Sequence, residues 1–463
     1  MMTKEFEATW ASKILFFLLC ATIIFTTLAY GAVHQPTLAV FYLLAVAVVG
    51  LWATDALVGG VMRFHKSRLQ IPLIAAFFYA LVQIIPFGSL AAFGGVEGIP
   101  RTISLDPFGT QIAALHFLAL LIYLAALLTF VDSAQRLRKV VLIITIFGFV
   151  YAFFGILQNV LSPQKIYGIY DVPYAKPFGS FVNRHNFAAY MEMTLCLPLG
   201  LMFVGAVEKD RRLLYATAIA LMGVALILSG SRGGLIALLA AIFLIIILTT
   251  KTENTKQLAL KIGLSVLLLT TVVIGSALIG GETSLARIAE ADSSPTTRTH
   301  IWSVTLSVIK NNFPFGAGFG AFGVAYPPFD SLNGLERVEQ AHNDYLEVTA
   351  TAGIIGLMIG GFFLFQLFRT GLKNYHTADT FRRGICVGAL AGCFAILVHS
   401  LFDFVLHTTA IAMLFITLVS LVAVSGSKFP DDRGETAPRD NKKRRSANVT
   451  PFDKTRKKRE LKD

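Results

Sequence analysis

Stretches of about twenty apolar residues, long enough to cross a bilayer core, recur through the first 425 positions of the chain. A polypeptide built this way has few ways to fold. In hydrocarbon every backbone N–H and C=O must be bonded within the protein, which leaves bundled helices or a closed barrel, and runs of this length select helices. They place spans near 14–33, 37–54, 71–87, 109–130, 138–161, 185–207, 213–229, 233–249, 258–280, 343–368, 384–405 and 408–425. Charged residues make up only 15% of the chain, against roughly 25% in soluble domains, and mean hydropathy is +0.66. The expectation is an all-α integral membrane protein: about twelve transmembrane helices over 1–425, then a disordered basic tail over 426–463.

Orientation follows from charge, because cytoplasmic loops retain Lys and Arg while translocated loops shed them. With both termini cytoplasmic, 31 of the 40 Lys and Arg fall inside. The nine outside are Arg101, Lys165, Lys176, Arg184, Arg232, Arg287, Arg298, Lys310 and Arg337. Losing one helix from the middle would scramble this alternation. The first run, preceded by Lys4 and Lys13, also has the shape of a signal peptide; its removal would leave the other eleven spans free to keep their orientation.

The net charge of +12 is mostly a tail effect, since 426–463 carries 13 basic and 7 acidic residues. A polybasic tail beside a last span is expected to contact anionic lipid headgroups, so nucleic-acid binding does not follow. Cys20, Cys196, Cys386 and Cys393 fall inside predicted spans and read as apolar packing residues, with no disulfide or cysteine metal site expected.

One long segment, 281–341, interrupts the helices on the outside, with shorter outer loops at 88–108 and 162–184. Loops this long in a compact chain are functional or disordered, and this one carries order. Pro295-Thr296-Thr297 supplies helix-start signals, and Ile301, Val304 and Val308 with Trp302, Leu306 and Ile309 form a broad apolar helical face. The pattern predicts a helix lying on the outer membrane surface. A tight Gly- and aromatic-rich loop follows at 313–323.

Several outer residue groups could carry chemistry. Ser229-Gly230-Ser231-Arg232-Gly233-Gly234 joins two spans in a turn whose glycines permit positive φ and close approach to a phosphate. The helix that starts there favours an anion, and Arg232 could add a bidentate contact; the alternative is a Gly-rich hairpin with a snorkelling Arg. Arg298 heads the loop helix, where a cation opposes the helix dipole. In Ala341-His342-Asn343-Asp344, the pair Asp344 and Glu347 resembles a capping box, which leaves His342 unexplained. Glu192 sits two turns inside the sixth span, where a carboxylate costs on the order of 2.5–3.5 kcal/mol. Arg184 is a candidate partner for it. His399, Asp403 and His407 line the outer end of the eleventh span at i, i+4 and i+8, one helix face that could line a polar cavity or hold a metal. The topology puts Arg184, His185, Arg232, Arg298, His342 and His399 at one interface, where an anionic ligand is expected.

In this order the motifs resemble those of the O-antigen ligase and polymerase superfamily of bacterial surface-polysaccharide enzymes. The resemblance spans about 178–420. It comprises Gly179, Phe181, Asn183, Asn186, Phe187 and Ala188, then Ser229-Gly230-Ser231-Arg232-Gly233, Arg298 with Trp302, and Pro314-x-Gly316-x-Gly318. His342-Asn343 and His399-Ser400-x-x-Asp403 complete it. It implies a fold similar to the multi-span lipid-linked glycosyltransferases of GT-C type and transfer of a glycan from undecaprenyl diphosphate to a lipid or glycan acceptor hydroxyl. The reaction would lie on the periplasmic face of the inner membrane. The implied catalytic residues are His342, activating the acceptor, with Arg232 and Arg298 around the diphosphate; Arg184, His185, Asn186, Ser231, Gly233 and Asn343 are expected to bind substrate. The family is regarded as metal-independent, so no cofactor is implied, and the outer Glu290-Ala291-Asp292 reads as loop surface.

Three activities share these motifs: ligation onto lipid A core, polymerisation of repeat units, and protein glycosylation. A single dominant outer loop favours ligase over polymerase. A twelve-helix secondary transporter is the reading from another class. Against it, such carriers often have a long central cytoplasmic loop, whereas only 208–212 joins the sixth and seventh spans and the long loop lies outside.

Overall fold

The computed structural model describes residues 9–89, 98–173, 175–250, 259, 262–263, 266, 298–331, 337–427 and 429. Its helices are α1 (Trp10–Leu28), α2 (Gln35–Gly59), α3 (Ile71–Gln83), α4 (Pro107–Phe130), α5 (Ala134–Leu161), α6 (Arg184–Val204), α7 (Arg212–Leu228), α8 (Arg232–Thr249), α9 (Arg298–Asn312), α10 (Asp344–Asn374), α11 (Thr380–His399) and α12 (Thr409–Val424). Nine helical stretches among the described residues are long and apolar enough to cross a membrane; Arg68–Gln83 and Thr409–Val424 are shorter apolar ones. These match eleven of the expected spans. Most of the ninth, 258–280, lies outside the described residues, as do Pro295–Thr297, Glu290–Asp292 and nearly all of the basic tail. The residues up to Ser427 form one unit.

Helix starts follow from side chains that bond the first free N–H groups. Asp106 accepts from Gly109 N ahead of Pro107 in the first turn of α4. Ser133, Asn183, Ser231 and Asp379 do the same for α5, α6, α8 and α11. At the other ends, Gly60 and Gly205 take the left-handed conformation that closes α2 and α6.

The helices α6 and α11 are packed together through Gly384, Gly388 and Gly392, spaced four apart. A side chain at Gly388 would begin 2.5 Å from the Cys196 carbonyl oxygen, and one at Gly200 would begin 2.4 Å from Gly388 N. Small residues at this spacing let helix backbones approach within a membrane. Gly388→Val is therefore expected to force α6 and α11 apart, an overpacking cost of about 1–3 kcal/mol or more, read as a lower melting temperature in detergent. All four cysteines are buried, in α1, α6 and α11. Buried Asp55 accepts two bonds from Arg63, which also reaches Asp132; Arg136 bonds Asp132 and Ser12. This network ties α1, α2 and α5 together.

Two expectations are corrected here. The loop helix α9 does not turn its apolar face to the membrane: Ile301, Val304 and Val308 are buried against Phe322, Ala325, Tyr326, Ala341 and Ala350, while Leu306 points outward. The loop's own Gly- and aromatic-rich half offers these side chains a protein surface to bury against. The eleventh helix also stops at His399, with Ser400 as its C-cap, so His399, Asp403 and His407 do not share a helix face.

The 313–323 loop enters the bundle. Gly353 breaks α10 with φ 59° and ψ −150°, about 14 Å from its start at 1.5 Å per residue. The carbonyls of Ala350 and Thr351 accept instead from the N–H groups of Ala317 and Gly318, and Ile354 N donates to Pro314 O. A side chain at Gly353 would collide with Pro314 O, 1.9 Å from its first carbon. The far side of the loop is held by Tyr79 and Gln83, which donate to Phe315 O, and by Thr110, which donates to Phe319 O. Irregular backbone at membrane depth requires this kind of internal bonding.

Candidate active site

Asp403 lies in the turn after α11 and is 2% exposed. A buried carboxylate needs partners, and it has cationic and imidazole ones from three other parts of the chain. Its Oδ2 accepts from Arg298 Nη2 at 3.2 Å, and its Oδ1 lies 3.2 Å from His342 Nδ1. His185 Nδ1 is 3.7 Å from Oδ2. Burial pushes the Asp403 carboxyl toward protonation, but the His342 hydrogen bond and the charges of His185, His342 and Arg298 outweigh it and hold the group well below the usual carboxylate range. Arg298, misplaced at its helix start by the dipole argument, is explained by this carboxylate.

The His342 backbone adopts φ 49°, a left-handed conformation uncommon outside glycine, so its surroundings must hold it. They do so on both sides. Trp302 of α9 donates its indole N–H to Ala341 O at 3.1 Å. Asn343 Nδ2 donates to Leu401 O, and Asp344 N to Ser400 O. The side chain rests edge-on to Phe404, ring centres 4.8 Å apart, and is 31% exposed. With Nδ1 turned to Asp403, the proton sits on Nδ1 and the Nε2 lone pair is left to accept one.

The helix α10 is capped by Asn343, whose Oδ1 accepts from Tyr345 N and Leu346 N; the expected capping box of Asp344 and Glu347 is not formed. Asp344 instead accepts from Ser400 Oγ, and Glu347 from Ala341 N. Both amide ends of Asn343 are thus engaged within the protein, which makes it a fastener of the His342 segment.

The Gly-rich turn lies on the other side of Asp403. Ser231 Oγ accepts from Gly234 N, lies 2.9 Å from His185 Nδ1, and lies 3.5 Å from His399 Nε2. Gly230 turns with φ 68°, and a side chain there would start 3.4 Å from Arg184 Nη1, so Arg184 reaches this turn. Arg232 is exposed at the start of α8, beside it. At Gly233 a side chain would begin 2.9 Å from the His399 ring, so this glycine serves the approach of α8 to α11. Asn186 is buried in the first turn of α6.

Glu192 does not pair with Arg184. Its two carboxylate oxygens lie 3.2 and 3.1 Å from His399 Nδ1, both residues being fully buried. This pair, spanning α6 and α11, joins Ser231, His185 and Asp403 in one polar chain. Sequence reasoning missed Asp403 as the hub and His399 as the partner of Glu192. The signal available for both was the spacing His399-Ser400-x-x-Asp403, together with the 384-388-392 glycines that bring α11 against α6.

Residues 217–360 match the model of a family described as O-Antigen ligase. The matched stretch contains Ser231, Arg232, Arg298 and His342, but not His185 or Asp403. No curated protein matches the chain.

Proposed function

We propose that this multi-pass membrane protein, whose residues 217–360 match the O-antigen ligase family, transfers a glycan from undecaprenyl diphosphate to an acceptor hydroxyl on the periplasmic face of the inner membrane, as a polysaccharide ligase. The observation that carries the reading is the buried Asp403, which gathers Arg298, His342 and His185 from separate segments. His342 Nε2 takes the acceptor proton as the hydroxyl oxygen bonds to the anomeric carbon. The bond from that carbon to the diphosphate oxygen breaks, and the diphosphate departs as an anion. It needs no proton, so the demand is charge stabilisation by fixed donors: Arg298, Arg232 and Arg184, with the N-terminus of α8, which Arg232 begins. Nothing in these steps calls for a metal ion. Under the ligase reading a finished glycan is transferred onto lipid A core; the dominance of the 281–341 loop supports that over repeat-unit polymerisation.

Arg232 supplies the test. Lys keeps the charge but lacks the planar fork that grips two phosphate oxygens at once. Arg232→Lys and Arg232→Ala are therefore both expected to cut transfer by about 10²–10³, the scale of losing one transition-state donor. The assay uses purified protein, a defined undecaprenyl diphosphate glycan and EDTA. A snorkelling arginine predicts instead that Lys restores full activity, and that result would remove Arg232 from the diphosphate site.

A further inference from the structure

His407 takes no part in the chemistry above, yet it makes two contacts that constrain its own state. It ends the short turn Val405–His407 before α12. Its Nδ1 lies 3.0 Å from Asp344 Oδ1 and its Nε2 lies 2.9 Å from Glu347 Oε1. A neutral imidazole has one N–H; a ring with a carboxylate oxygen on each nitrogen donates from both and carries a positive charge.

The two carboxylates use their remaining oxygens to build the His342 segment. Glu347 Oε2 accepts from Ala341 N at 2.8 Å, one residue before His342. Asp344 Oδ2 accepts from Ser400 Oγ at 2.7 Å and from Leu406 N at 3.3 Å, on either side of Asp403. Both carboxylates are buried. Without a cation between them they would repel each other or take up protons, and either change weakens the bonds that fix Ala341 and Ser400. The consequence reaches His342 and Asp403, whose 3.2 Å contact depends on both segments staying in place.

The geometry points to His407 as a positioning residue for the proposed reaction: a charged imidazolium pin that holds the His342 and Asp403 segments in register without touching substrate. This rests on the glycan-transfer reading for its catalytic consequence but not for the pin itself. The groups facing the ring are Asp344 and Glu347 of α10 and His116 of α4. Burial alone would lower the basicity of His407, but the facing Glu347 and Asp344 carboxylates outweigh it and raise it well above the ordinary histidine value. The two carboxylates therefore favour the charged ring over the neutral one.

Two measurements on the full-length protein in detergent separate the pin from the reaction. In the first, ¹⁵N spectra of histidine-labelled protein, assigned by the signal missing in His407→Gln, are expected to show both ring nitrogens of His407 protonated at pH 7.5. A neutral ring at pH 7.5 would overturn the pin with no substrate involved. In the second, His407→Gln is expected to lower kcat for glycan transfer at least tenfold while the KM for the lipid-linked donor stays within twofold. Unchanged kcat, or a loss confined to KM, would overturn the positioning role. If the unaltered protein transfers no glycan while its His407 is doubly protonated, the transfer reading fails and the pin stands.

Discussion

Transfer by a His342→Ala variant is expected to fall by about 10²–10⁴, the usual contribution of a positioned base, with the protein still inserted and folded. The side chain is 31% exposed, so little packing is lost. Its left-handed backbone complicates the alanine result, since Ala tolerates that conformation less well than Asn. The companion variant is therefore His342→Asn, which keeps the backbone preference and removes the ring. Equal loss in both assigns the effect to the imidazole. An active Asn variant beside a dead Ala variant would assign it to the backbone, and either variant retaining more than about a tenth of normal activity would take His342 out of the base role.

Asp403→Asn is expected to be comparably damaging, for a different reason. The amide is nearly the same shape but brings N–H donors to a point where Arg298, His342 and His185 all bring theirs. One or more of them is left without an acceptor in a buried place, and His342 loses the group that sets which nitrogen carries its proton. The equivalent exchange in a Ser-His-Asp triad lowers kcat about 10⁴-fold, and a loss of about 10²–10⁴ is expected here. Asp403→Ala should in addition destabilise the fold, since removing one member of a buried ion pair costs about 3–5 kcal/mol. Both are read from initial rates of glycan transfer alongside thermal unfolding. A fully active Asn variant would mean that Asp403 only fastens the loop.

Much of the architecture was legible in the chain because hydropathy and charge act locally. A run of twenty apolar residues becomes a helix wherever it sits, and eleven of the twelve expected runs have a described helix. The site was legible as a set of residues and less so as an arrangement. Arg298 and His342 were singled out from their positions at either side of one loop, and the shared carboxylate that unites them lies 105 and 61 residues away, respectively. No local pattern encodes such a contact. The helical spacing of His399, Asp403 and His407 misled for a related reason: α11 ends at His399 with no glycine or proline to mark it. What ends it is tertiary, since Ser400 and Leu401 give their carbonyls to Asp344 and Asn343. Glu192 was read as needing a partner, but Arg184 was named for it; the pairing with His399 depends on glycines in α11 whose spacing matters only once α6 lies against them.

The break at Gly353 bears on how this protein could be rebuilt. Grafting the corresponding segment of a relative onto this bundle would naturally use seams at the ends of the loop. Those seams would cut through a shared unit. The carbonyls of Ala350 and Thr351 are completed by Ala317 and Gly318, and Phe315 and Phe319 by Tyr79, Gln83 and Thr110. A chimera that moves 298–341 alone would leave open carbonyls in hydrocarbon, each costing several kcal/mol. The exchangeable module has to include the first ten residues of α10 and the facing positions of α3 and α4.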